Sequence, residues 1–104
     1  VIRVLNGVRE GGFSGPMVRR TLIIQNRLGV HARPAALFVK TAGRFRSEIS
    51  VSKDDLKVNG KSIMGVMMLA AEMGSRITIQ AAGDDEREAL AALTELVKGK
   101  FNEE

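Results

Sequence analysis

The feature that most limits the possible folds is how the spacing of apolar residues changes along the chain. Strands bury every second side chain, whereas amphipathic helices bury positions three and four apart. RRTLIIQN (Arg19 to Asn26) is apolar and β-branched at its centre and predicts a strand. From Ala32 to Gly43, the residues Ala35, Phe38, Val39 and Ala42 recur at helical spacing. SEISVS (Ser47 to Ser52) alternates Ile49 and Val51 with polar residues, and KDD turns the chain into a second short strand at Leu56 to Asn59. A helix is expected from about Ile63 to Ala71, after NGKS, and SRITIQA alternates again through Ile77 and Ile79. The last helix is the clearest. Asp84 or Asp85 suits its N-cap, Leu90, Leu93, Leu96 and Val97 share one face, and Lys98 then Gly99 close it.

The order β-α-β-β-α-β-α, with a hairpin in the middle, predicts an α/β (α+β) two-layer, open-faced sandwich. In it a four-stranded antiparallel sheet carries three helices on one face. Residues 1–16, VIRVLNGVREGGFSGP, fit neither period, and EGGFSGP is too rich in Gly and Pro to predict a regular element. They are expected to form an N-terminal extension, flexible or left over from cloning, ahead of a domain spanning residues 17–104.

Composition removes several functions. Cysteine is absent, which excludes disulfides, thiolate metal sites and a cysteine nucleophile. No apolar run approaches the roughly 20 residues needed to span a bilayer, and no secretory leader is evident. A cytoplasmic protein without membrane insertion is therefore expected. The net charge of +4 suits acidic partners, but four Phe with no Tyr or Trp supply few base-stacking side chains. Nucleic acid is not an expected partner. The single histidine leaves no basis for a histidine-cluster metal site, and no metal or cofactor is expected.

That histidine, His31, lies in LGVHARPAA, where a helix begins. A helix start presents unpaired backbone N–H groups and the positive end of the helix dipole, a ready place for an anion. Pro34 falls in the first turn, where its missing N–H costs nothing. One ring nitrogen of His31 could act as a nucleophile toward phosphorus. The phosphoryl oxygens would then lie near the backbone amides of Ala32 and Arg33 and the guanidinium of Arg33. A histidine that merely closes a helix start, with a surface arginine beside it, fits these residues equally well. A stand-alone enzyme does not, because neither a second acid–base group nor a Gly-rich phosphate loop accompanies His31.

LGVHARPAALFVKTA, followed by KSIMGVMMLAAEMGSRITIQAAGDDEREALAAL, resembles the HPr/NPr family of histidine-containing phosphocarriers. These serve the bacterial phosphoenolpyruvate-dependent phosphotransferase system, and the similarity runs from about Arg20 to Val97. The resemblance implies that His31 accepts a phosphoryl group from phosphorylated enzyme I and passes it to enzyme IIA components. It implies that Arg33 and Pro34 belong to the same motif, and that the fold is the one read above. Ser62 in KSIMGVM matches the serine that HPr kinase/phosphorylase phosphorylates in many bacteria. NRLGVHARP and the tail KGKFNEE look closer to the nitrogen-branch paralogue NPr, while KSIMGVM looks closer to kinase-regulated HPr. The alternative to a sugar-branch carrier is thus a regulatory, signalling one. A monomer is expected.

The second helix adds an independent clue. Ile63, Met64, Val66, Met67, Met68, Leu69 and Ala70 are apolar almost all round, so one face is expected to be buried and the other exposed. Ile63, Met64 and Met67, with Lys40 nearby, become candidate partner-docking residues, since methionines adapt to differently shaped partners. Arg44, Arg46 and Lys61 could extend a basic rim around that patch.

Overall fold

A computed structural model describes residues 3–4 and 17–103. Its elements are β1 (Arg3–Val4), β2 (Val18–Ile23), α1 (Ala32–Ala42), β3 (Glu48–Lys53), β4 (Leu56–Asn59), α2 (Ile63–Met68), β5 (Arg76–Ala82) and α3 (Glu86–Lys98). A short turn of 3₁₀ type, Lys100–Asn102, follows. Strands β4, β3, β5 and β2 form a four-stranded antiparallel sheet in that order, and the three helices complete an open-faced sandwich. The two-residue β1 runs parallel beside β4, with Arg3 opposite Leu56 and Val4 opposite Lys57. Apart from this strand, the expected extension over residues 1–16 lies outside the described residues.

Period-two patterning sets the sheet's two faces. Leu22, Ile49, Val51, Val58, Ile77, Ile79 and Ala81 are buried and face the helices, joined by Phe38 and Ala35 of α1 and by Ala89, Leu93 and Val97 of α3. On the other face most side chains are polar, and several pair across strands. Ser50 Oγ donates to Gln80 Oε1 at 3.2 Å, and the Thr21 and Thr78 hydroxyls meet at 2.9 Å. Lys57 shares this face, and burial pushes its ammonium pKa down.

Three elements depart from the sequence reading. Strand β2 ends at Ile23, short of the expected Asn26. Helix α2 stops at Met68, short of the expected Ala71. Leu69 N and Ala70 N donate to carbonyls only three residues back, and Ala70 turns left-handed (φ 49°). No glycine marks that stop. Instead Lys53 Nζ reaches across from β3 and donates to Leu69 O and Ala70 O at 3.2 and 3.3 Å. At α3, Asp85 occupies the N-cap position but makes no capping hydrogen bond. Its carboxylate accepts instead from Arg46 N at 2.8 Å and from the backbone N and hydroxyl of Ser47. It thereby ties the start of α3 to the entry of β3, and those bonds, the Ser47 hydroxyl first, hold its carboxyl below the usual carboxylate range.

Candidate functional site

The loop between β2 and α1 is fixed before His31 is reached. Asn26 is fully buried, and its Nδ2 donates to Gly29 O at 2.7 Å, while Gly29 N donates to Asn26 O at 3.1 Å. Gly29 is left-handed (φ 71°), and a Cβ there would stand 2.5 Å from Ala71 O and 2.8 Å from the Cα of Glu72. Only glycine fits both the dihedral and the space. Val30 N then donates to that same Ala71 O at 2.8 Å, so the end of the α2 segment and the start of α1 are joined directly beside His31.

His31 is the extended N-cap residue of α1, and its carbonyl accepts the first helical bond, from Ala35 N at 2.9 Å. Its ring makes no capping bond. The backbone amides of Ala32 and Arg33 therefore point out of the helix start without a partner among the described residues, and Pro34, buried, has no N–H to satisfy. The Nε2 edge of the ring faces Glu103, whose Oε2 lies 3.4 Å away without the geometry of a hydrogen bond. Since Nε2 is buried and the side chain is 41% exposed, Nδ1 is the ring nitrogen left accessible. The Arg33 guanidinium is 3.7 Å from the same Glu103 oxygen and is 67% exposed. Arg27, Leu28, Arg33 and Glu103 enclose an open depression of about 370 Å³ next to the ring.

Glu103 was not legible as a site residue, and neither was Arg27. Glu103 is carried by three successive left-handed residues, Lys100, Phe101 and Asn102 (φ 58°, 54° and 62°). Such a run costs about 1–2 kcal/mol per residue. Burying Phe101 completely returns about 1.5–3 kcal/mol, and bonds from Asn102 N to Gly99 O and Glu103 N to Lys100 O add to it. Asn26 Nδ2 also holds Glu103 Oε1 at 3.2 Å. The one signal in the sequence was Phe101, a lone large apolar side chain in a polar tail.

The remaining predicted residues lie on α1 and α2, which pack on each other. Ser62 is the N-cap of α2, with its Oγ accepting from Gly65 N at 3.0 Å, and it does not touch His31. Val66 and Leu69 are buried, whereas Ile63, Met64, Met67 and Met68 are exposed, as are Leu28 and Met73. Lys40, in the last turn of α1, is exposed. Lys61 is not part of a free rim, because its Nζ donates to Phe45 O at 2.7 Å. No cluster of three metal-ligating side chains exists among the described residues, and no described helix is long and apolar enough to cross a membrane.

The family model for the PTS HPr component phosphorylation site matches residues 18–99, which places the domain in a class of phosphocarrier proteins rather than enzymes. Phosphocarrier protein HPr of Neisseria meningitidis is 51% identical over 87 residues, covering 84% of this chain and 98% of that protein. The crystal structure of HPr-C-His from Thermoanaerobacter tengcongensis superposes with a TM-score of 0.81 at 53% identity, covering 84% and 98% of the two chains. The chain belongs to the HPr family. It is also similar to Crh of Bacillus subtilis, whose crystal structure, a dimer with a swapped domain, matches with a TM-score of 0.65 at 46% identity over 80% of this chain and 95% of that one.

Proposed function

We propose that this protein carries a phosphoryl group on His31 from phosphorylated enzyme I to enzyme IIA components of the phosphotransferase system, acting as a cytoplasmic monomer. One observation carries the reading. The ring sits at a helix start with an accessible Nδ1, two unpartnered amides and an exposed guanidinium on the side where a phosphoryl group would arrive. The Nδ1 lone pair attacks phosphorus and forms the P–N bond, while the bond from phosphorus to the donor breaks and its electron pair leaves with the donor. The amides of Ala32 and Arg33 and the Arg33 side chain stabilise the phosphoryl oxygens. Glu103 orients the ring through Nε2 and holds Arg33 in the empty state. An incoming phosphoryl group competes for that guanidinium, so Arg33 exchanges one anion for another.

The exposed Ile63, Met64 and Met67, with Lys40, form the docking surface, where the sulfur-bearing side chains conform to more than one partner. Phosphorylation of Ser62 by a kinase of the HPr kinase/phosphorylase type would add roughly −1.5 to −2 charge at the border of that surface and weaken docking of acidic partners. The test is incubation with enzyme I and radiolabelled phosphoenolpyruvate. The wild type should take up acid-labile, alkali-stable label that transfers to enzyme IIA, and His31→Ala should take up none. Label on the His31→Ala variant, or an unlabelled wild type beside a labelled HPr control, would refute the reading.

A further inference from the structure

The helix-facing row of β2 reads Val18, Arg20, Leu22, and the middle position breaks the apolar pattern. Arg20 pairs in register with the fully buried Ile79, so it points toward the helices, not toward the polar face of the sheet. Opposite it, α3 presents Arg87, Leu90, Ala91 and Thr94, spaced as one helical stripe. These residues and Val18 line a cleft of about 230 Å³ between α3 and β2. It shares no residue with the depression beside His31. Among the described strands β2 pairs only with β5, so the cleft opens at the sheet edge.

Two chemical features converge there. The floor is apolar, from Val18, Leu90 and Ala91. Two guanidiniums, Arg20 and Arg87, flank it, and neither forms an ion pair with any described residue. No carboxylate lines the cleft to neutralise the arginines.

We propose that this cleft is a second ligand site, which takes a small oxyanion borne on a compact apolar body: a carboxylate or phosphate monoester of roughly eight to ten non-hydrogen atoms, by the volume of water such a space displaces. The arginines receive the oxyanion and the apolar floor receives the body. The site is separate from His31, and its failure would leave the phosphocarrier reading untouched.

The experiment is an amide-resolved NMR titration of the full chain with benzoate and with phenyl phosphate, using benzyl alcohol and inorganic phosphate as controls. Binding in the millimolar range is expected for a ligand of this size. Saturable shifts should centre on the amides of Arg87, Leu90, Ala91 and Thr94, and the tighter of the two probes identifies the head group. The Arg20→Gln, Arg87→Gln double variant should bind roughly tenfold or more weakly. His31→Ala should bind as the wild type does. The proposal is overturned if neither anion gives saturable shifts at these amides, if benzyl alcohol or inorganic phosphate binds there as tightly as the anionic probes, or if the double variant retains wild-type affinity.

Discussion

Replacing Gly29 by alanine tests how tightly the scaffold sets the position of His31. The added Cβ carries two separable costs. At φ 71° an L side chain is strained by about 1–2 kcal/mol. The Cβ would also stand 2.5 Å from Ala71 O and 2.8 Å from the Glu72 Cα, both backbone atoms, so one segment must retreat. Ala71 O is the acceptor for Val30 N at 2.8 Å, and retreat stretches that bond, at a further net cost of about 0.5–1.5 kcal/mol. Together Gly29→Ala should lose about 1.5–3.5 kcal/mol. At about 4–8 °C per kcal/mol for a domain of this size, the melting temperature should fall by roughly 6–28 °C. Because His31 lies two residues on, transfer from enzyme I should slow even at temperatures where the variant is fully folded. Calorimetry and a transfer time course at 15 °C below the variant's Tm measure the two effects separately. A Tm within about 2 °C of wild type would show that the loop yields without cost, and the argument for its rigidity would fail.

Other outcomes follow from the same geometry. Glu103→Gln keeps an acceptor for Asn26 but removes the charge that faces an arriving phosphoryl group. The equilibrium should shift toward phosphorylated His31 by about 1 kcal/mol, roughly fivefold, after screening at this half-exposed site, and a shift the other way in quantified phospho-to-free ratios would assign the carboxylate to stabilising the phosphorylated ring. Ser62→Ala should cost about 0.5–2 kcal/mol through the lost cap while leaving transfer unchanged, whereas Ser62→Asp should keep the helix and slow transfer from enzyme I. Denaturant melts and transfer assays on both variants check this, and an Asp variant as fast as wild type leaves Ser62 as a cap alone. Asp85, held below the usual carboxylate range, contributes stability above about pH 4 and loses it as pH falls through its lowered folded-state value. Asp85→Asn should therefore melt below wild type at neutral pH, with the gap closing in acid. A gap constant from pH 7 to pH 2 would mean that the bonds to Arg46 and Ser47 do not depend on charge.

What could be read from the residues followed how locally each feature is encoded. The strands and helices lay in the spacing of Ile77 and Ile79, or of Ala35, Phe38 and Ala42, because burial on one face needs nothing beyond that spacing. The chemistry at His31 stayed ambiguous from its own residues, and only the resemblance of the whole motif favoured the phosphocarrier. The stop of α2 was out of reach, since the group that caps it, the Lys53 ammonium, comes from β3. Asp85 looked like a helix cap because its position is one, but Ser47 and Arg46 offered better donors from a distant turn. Glu103 was the least legible. Its place depends on a left-handed turn that local propensity disfavours and that Phe101 secures only once the core exists to receive it.

The pairing of β2 with β5 has a consequence for how the chain is made. As it leaves the ribosome, β2 is complete early, yet its only described neighbour spans Arg76–Ala82. Helix α1 and the β3–β4 hairpin can form from nearby residues in the interval. Strand β2 cannot, and at roughly 5–20 residues per second it waits for seconds with both backbone edges and the apolar Leu22 and Ile24 uncovered. The nascent chain is most vulnerable to misassociation in that window, and the exposed arginines at positions 19 and 20 put positive charge on the very strand that waits.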